Sequence, residues 1–193
     1  MKEHHLFPWW AGYLLINPIR KLSLNPRGLL GGYITPGMSI LDAGCAMGFF
    51  SIPMAEMTGP GGRVYCIDPQ KKMLTVLAKR AKRKGLSEII ATRECTFDSL
   101  MAGDLESRID LALAFGVLHE TRDENAFIRE IASTLRPGGL FVFGEPHVVS
   151  PGQFDAARTK IEAAGFTREK QLRRSSNNIA FMRYTAEPRG SGH

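Results

Sequence analysis

The residues able to do chemistry lie at the ends of short apolar runs. The run SILDA closes on Asp42-Ala43-Gly44-Cys45-Ala46-Met47-Gly48 and leads toward a helical stretch. Gly44 and Gly48 permit a tight turn and close approach of backbone to a ligand, and the helix start beyond them offers unpaired N–H groups. Twenty residues after Gly48 the next apolar run ends in Asp68, an acid suited to gripping a ribose diol. A glycine turn alone is a weak signal. Joined to a strand-end acid in a strand–helix–strand frame, it points to a nucleoside-containing cofactor. A dinucleotide fingerprint would place glycine at 44, 46 and 49, where this chain has Gly44, Ala46 and Phe49. The bulk of Phe49, where helix and strand must touch, argues against a nicotinamide dinucleotide.

Two later run ends carry proton-transfer groups, His119-Glu120 and Glu145 with His147. Adjacent parallel strands would bring all four to one rim of a cleft. His119 is the candidate base, because an imidazole near its ordinary pKa accepts a proton at neutral pH. Binding a polar group of the acceptor and a structural hydrogen bond are its other open roles. Glu120, Glu145 and His147 are candidates for holding the acceptor. Cys45, Cys66 and Cys95 are odd in number and far apart, which suits neither a zinc spacing nor a disulfide framework; they read as reduced, buried thiols.

The elements positioning these groups follow from the apolar pattern. Strands are expected at 39–43, 63–68, 89–95, 110–115, 139–145, 166–173 and 178–184. Helices are expected near 49–57, 70–84, 124–135 and 152–164, with a short piece at 97–101. The runs Gly59-Pro60-Gly61-Gly62, Gly85 and Pro137-Gly138-Gly139 close three helices. Met73, Leu74, Leu77, Ala78 and Ala81 form a helical stripe. IDLALAF and LFVFG are nearly continuous apolar runs, as in parallel strands covered on both faces. Repeated strand–helix units imply an α/β fold, an open, doubly wound sheet ending in an antiparallel hairpin. Ligands of such sheets sit beyond the carboxyl ends of the strands.

The segments MSILDAGCAMGFFSIPMA, GGRVYCIDPQKKML, IDLALAFGVLHE and LRPGGLFVFGEP together resemble the class I S-adenosylmethionine-dependent methyltransferases, over roughly residues 33 to 184. The resemblance implies a Rossmann-like methyltransferase fold, a doubly wound seven-stranded sheet of order 3-2-1-4-5-7-6 with strand 7 antiparallel. Its cofactor would be S-adenosylmethionine, with S-adenosylhomocysteine as product. By the same resemblance the Gly44–Gly48 turn, with Cys45 and Ala46, passes under the amino acid part of the cofactor. Asp42 reaches its ammonium, Asp68 holds the ribose, and Pro69 and Met73 pack on the adenine. Ala114, Phe115 and Gly116 line the methionine arm. Ala46 is compatible with close approach at negative φ. Many members read the adenine amino group with an acid after the third strand. Thr96 stands there in this chain, followed by Phe97, which leaves Thr96, Asp98 and backbone groups as the candidates. The Asp and Asp-Asn metal pattern of catechol-type members is absent, so no metal is expected. AFGV replaces the Asn/Asp-Pro-Pro-Tyr type motif of amino-directed nucleic-acid enzymes, so DNA is not an expected partner.

The 193 residues, 44% apolar and 23% charged, suit one globular methyltransferase domain at 33–185 and exclude a disordered chain or a small disulfide scaffold. Residues 1–32, rich in aromatics, are expected to form a cap in which Trp9 or Tyr13 touches the methyl region, and 186–193 a flexible tail. This small cap favours a small-molecule acceptor. No apolar run reaches the roughly 18 residues of a membrane span, and the first 20 residues lack a signal-peptide order, so a cytoplasmic location is expected. The net charge of +6 owes much to seven Lys or Arg between Lys71 and Lys84. They read as a solvated helix face, with RNA or a membrane surface as other partners. Arg173 and Arg174 could pair with an acidic acceptor. The rival readings are an RNA or protein methyltransferase and a non-catalytic S-adenosylmethionine-binding subunit. Oligomeric state is not legible.

Overall fold

The structure, a computed structural model, describes residues 24–174 and 177–185. Trp9, Tyr13 and the 186–193 tail lie outside them. The strands are β1 (Ser39–Ala43), β2 (Arg63–Asp68), β3 (Ile90–Glu94), β4 (Ile109–Phe115), β5 (Leu135–Glu145), β6 (Phe166–Arg174) and β7 (Asn177–Tyr184). The helices are α1 (Pro26–Leu30), α2 (Ser51–Thr58), α3 (Lys71–Arg83), α4 (Glu124–Thr134) and α5 (Pro151–Ala163). The sheet runs β3-β2-β1-β4-β5-β7-β6, and β7 is antiparallel to both neighbours. Fold class and strand order are those implied by the sequence.

The apolar runs cover both sheet faces, as fully buried parallel strands require. On one face Leu29 and Leu30 of α1, Ile52 and Met54 of α2, and Leu74 and Leu77 of α3 pack with Ile40, Leu111 and Leu113. On the other, Phe127, Ile128 and Ile131 of α4 and Phe154 and Ile161 of α5 pack with Leu41, Ala112 and Phe143. Phe143 and Phe154 stack with centroids 5.0 Å apart. Among the described residues, no helix is long and apolar enough to cross a membrane.

Three local expectations change. The helix after β1, α2, begins at Ser51 rather than at Phe49, because Ala46 and Gly48 both have positive φ and keep the chain out of the helical region until Phe50. β5 starts at Leu135, before Pro137-Gly138-Gly139. Leu135 pairs with Ile109, the ladder resumes at Leu140 with Leu111, and the exposed Arg136–Gly138 stretch bulges between. Proline, having no N–H, is tolerated at such a bulge. The short helix at 97–101 is not formed: Thr96 and Ser99 bond each other there, and a 3-10 turn follows at Gly103–Leu105.

Candidate functional site

The carboxyl ends of β1, β2, β3 and β4 open into one cleft of about 660 Å3. Its floor is the turn after β1. Gly44 N–H and Cys45 N–H both donate to the Ile67 carbonyl, at 2.8 and 3.1 Å. Ala46 N–H donates to Asp68 Oδ2 at 2.9 Å, while Asp68 Oδ1 accepts from Gln70 N–H at 2.8 Å. The end of β2 thus receives three consecutive amides of the turn. From α3, the half-buried Arg80 guanidinium donates to the Met47 carbonyl. The turn leaves little room for side chains. A Cβ on Gly44 would lie 2.2 Å from Val117 Cγ2, and one on Gly48 2.3 Å from Leu77 Cδ1, both at positive φ.

Ala46 corrects an expectation. Its φ is +46°, in the left-handed region, not at the negative value assumed for close approach. Left-handed geometry costs an ordinary L-residue about 1–2 kcal/mol, and the bond from Ala46 N–H to Asp68 helps to hold it.

Asp42 and Asp68 are both buried and both line the cleft. Ser51 Oγ donates to Asp42 Oδ2 at 2.5 Å. Burial nevertheless pushes the Asp42 carboxyl up to about 7, with the Asp68 charge adding to the shift and the Ser51 bond opposing it. Burial also raises Asp68, against the two backbone N–H groups it accepts. Among the described residues, neither acid has a positive partner. Burial pushes the Cys45 thiol well above its ordinary value and Cys95 to about 12, so neither is a nucleophile near neutral pH. Cys45 and Cys66 are buried as expected, whereas Cys95 is half-buried and lines the cleft.

Pro69, Met73, Thr96 and Phe97 line the side of the cleft next to β2 and β3. Phe115 lines the β4 side, and its ring lies over Gly144 of β5, where a Cβ would meet it at 2.4 Å. Phe50 packs on Phe115 at 5.0 Å, with Phe49 edge-on to Phe50 at 5.0 Å. Ala114 and Gly48 do not line the cleft. Strand residues alternate faces, so Phe115 turns toward the cleft while Ala114 enters the opposite core. Gly48 serves the turn from beneath, against Leu77.

Of the four groups expected at one rim, three come together. His119 and Glu120 sit in a 3-10 turn after β4, Leu118–Glu120, and line the cleft. Glu145, ending β5, gives one oxygen to each end of His119: Oε2 lies 2.6 Å from Nδ1, and Oε1 accepts the backbone N–H at 3.2 Å. The Glu145 side chain is 2% exposed and that of His119 31%. Glu145 thus does not line the cleft itself, which corrects its expected role in holding acceptor. The hydrogen bond and charge of Glu145 raise the His119 pKa above its ordinary value, with Glu120 and Glu124 adding to it. A carboxylate at Nδ1 places the proton there and leaves Nε2 as the basic atom. His147 is excluded from the group. Val149 N–H closes a turn onto the Pro146 carbonyl, and His147 is exposed outside the cleft.

Other residues line the cleft that the sequence did not point to, among them Phe50, Gln70, Val117, Phe127 and Glu130. The pair Phe49-Phe50 directly after the turn was a usable signal. Glu130 and Phe127 carried none, because α4 reaches the cleft only through tertiary packing. The lining includes the acids Asp42, Asp68, Asp98, Glu120, Asp123 and Glu130, and no Lys or Arg among the described residues. The basic residues of α3 are instead mostly exposed and outside it.

Residues 34–181 match a family model described as a methyltransferase domain. The chain is 32% identical over 150 residues to a ubiquinone biosynthesis O-methyltransferase of Methylocella silvestris, covering 68% of this chain and 56% of that protein. It is 34% identical over 145 residues to the protein of the same name from Caulobacter vibrioides, covering 68% and 55%. It spans little more than half the length of these relatives. Among solved structures, a SAM dependent methyltransferase from Aquifex aeolicus superposes with a TM-score of 0.81 at 18% identity, covering 93% of this chain and all of that one. The glycine turn clamped to a strand-end acid, the sheet order and the family match agree: this chain belongs to the class I S-adenosylmethionine-dependent methyltransferases.

Proposed function

We propose that this protein methylates a hydroxyl group of a small-molecule acceptor, using S-adenosylmethionine. The observation that carries the cofactor is the charge of the cleft. A ligand bearing a sulfonium and an ammonium suits a wall with six carboxylates and no Lys or Arg among its described residues. A dinucleotide would bring a pyrophosphate to the same wall, where among the described residues the nearby Arg122 is already paired with Asp98. The volume lies within the roughly 300–1,000 Å3 of ordinary ligand sites. When bound, S-adenosylmethionine supplies an activated methyl group for in-line displacement.

The chain's own residues do the rest. Asp68, fixed by Ala46 N–H and Gln70 N–H, keeps further lone pairs for the ribose hydroxyls. Asp42, near neutral when alone, ionises beside an ammonium. Phe50 and Phe115 present aromatic faces at the methyl end and exclude water. His119 takes the acceptor proton on Nε2, with Nδ1 held by Glu145. Orientation of the two reactants accounts for much of the rate in such a displacement, about 7–11 kcal/mol in favourable cases. The hydroxyl rests on this dyad and on the similarity to proteins named O-methyltransferases. A small acceptor, not RNA, is favoured by the same acidic wall. In this reading residues 1–32 cap the acceptor end and 33–185 form the catalytic domain.

The test is calorimetric titration with S-adenosylmethionine, S-adenosylhomocysteine and NAD. Micromolar binding of the first two and none of NAD is expected. Binding of NAD, or of none of the three, overturns the cofactor. Turnover of phenols over amines in an acceptor screen, slowed about 10²–10⁴-fold in His119→Ala, then tests the acceptor class. Tight cofactor binding with no turnover across the screen would favour the non-catalytic subunit.

A further inference from the structure

The two side chains expected to read the adenine, Thr96 and Asp98, are both engaged by neighbouring groups. Thr96, at the position after β3, has its hydroxyl committed locally: Oγ1 accepts Ser99 N–H at 3.1 Å and Asp98 N–H at 3.3 Å, and lies 3.4 Å from the Ser99 carbonyl. Thr96 N–H is bonded to that same carbonyl at 3.1 Å. Asp98 is exposed and faces Arg122, whose Nη1 lies 3.2 and 3.4 Å from its two oxygens. Neither group is set to accept from a base.

Glu130 is. It comes from α4, lines the cleft and bonds the same loop. Its Oε2 accepts Leu100 N–H at 2.7 Å and Ser99 Oγ–H at 3.2 Å. These two donors fix the carboxylate plane. Oε1 takes no hydrogen bond from the described residues and keeps its lone pairs. We infer that Glu130 is the residue that selects adenine in the cofactor, its Oε1 accepting a proton of the 6-amino group. The inference rests on S-adenosylmethionine being the cofactor.

The chemistry gives a sharp discrimination. An ionised carboxylate can only accept, so it pairs with the 6-amino group of adenine and repels the 6-oxo group of hypoxanthine. Glutamine at 130 reverses the outward group. Its carbonyl oxygen must face the Leu100 N–H and Ser99 hydroxyl, since the amide nitrogen there would oppose two donors. Its NH2 then points where Oε1 was and donates.

The experiment is calorimetric titration of wild type and Glu130→Gln with S-adenosylhomocysteine and S-inosylhomocysteine. Wild type is expected to favour the adenosyl compound at least tenfold, and Glu130→Gln to shrink that ratio at least tenfold while the inosyl affinity holds or rises. Equal affinities in wild type, or an unchanged ratio in the variant, overturn the assignment. Glu130→Asp, one methylene shorter with its charge kept, guards against a misfolded glutamine variant. It is expected to weaken adenosyl binding at least fivefold, and undiminished binding overturns the role. Wild type that binds neither compound refutes the cofactor, and this inference with it. Wild type that binds only the adenosyl form while the variants behave like it refutes Glu130 alone.

Discussion

Glu145 holds His119 at both ends: one carboxylate oxygen lies 2.6 Å from the ring Nδ1 and the other accepts the backbone N–H at 3.2 Å. The last residue of β5 thereby sets the position of the 3-10 turn after β4 and the tautomer of its imidazole. The carboxylate is buried and the ring half-buried, so the arrangement resembles a base with its orienting acid.

This relationship predicts a pH profile. His119 must be neutral to accept a proton, and Glu145 raises its pKa above the ordinary 6.5. Transfer to a hydroxyl is expected to rise with pH through that raised value. Glu145→Gln should move the inflection down and slow transfer about 10–100-fold, and His119→Ala about 10²–10⁴-fold. Affinity for S-adenosylhomocysteine should stay within twofold in both. The stability contribution of the pair has the sign of a raised histidine. It is fully present below 6.5 and lost as pH rises through the folded-state value. Initial rates from pH 5.5 to 9 check the first claim, and melting curves over the same range the second.

Asp68 joins cofactor binding to folding. Asp68→Ala is expected to weaken S-adenosylmethionine binding at least tenfold. It also strips the acceptor from Ala46 N–H and Gln70 N–H, at a cost of about 1–3 kcal/mol for a buried group left unpaired. Calorimetry and urea denaturation measure the two effects separately. Unchanged affinity would remove Asp68 from the ribose.

The turn itself should respond oppositely at neighbouring positions. Gly48→Ala places a Cβ 2.3 Å from Leu77 Cδ1 at φ +80°, and should destabilise by about 1–3 kcal/mol. Ala46→Gly relieves a left-handed residue and should stabilise by about 0.5–1 kcal/mol, the gain being reduced by the greater freedom of glycine in the unfolded chain. Urea midpoints of the two variants decide it.

Asp42 predicts linked proton release. With its folded pKa raised to about 7 from 3.8, the native state keeps a proton that the unfolded chain loses. Ligand-free stability should therefore fall as pH rises between these values, and Asp42→Asn should flatten the slope. An ammonium beside Asp42 favours its ionised form. Cofactor binding near pH 6.5 should release protons, and titration in buffers of different ionisation enthalpy counts them.

The amino-acid sequence determined the architecture and half of the site. Alternating apolar runs and helical stripes need only local periodicity, and they led to all seven strands. The Gly44–Gly48 turn and Asp68 were legible because turn and acid are close along the chain and bound to consecutive elements. His119 was legible as a strand-end histidine. The division of labour at that rim was not. Glu145 and His147 would share one face of a continued strand, so which of them reaches His119 depends on where β5 ends and on the turn closed by Val149, which carries His147 out of the cleft. Likewise Ala46 carried no sign of its positive φ, which is imposed by three amides converging on the end of β2. Glu130 lies 88 residues from Asp42 on a helix whose stripe reads as core, and only the packing of α4 against the loop after β3 brings its carboxylate to the cleft. Short-range pattern encodes which elements form; long-range packing decides which of their polar groups meet.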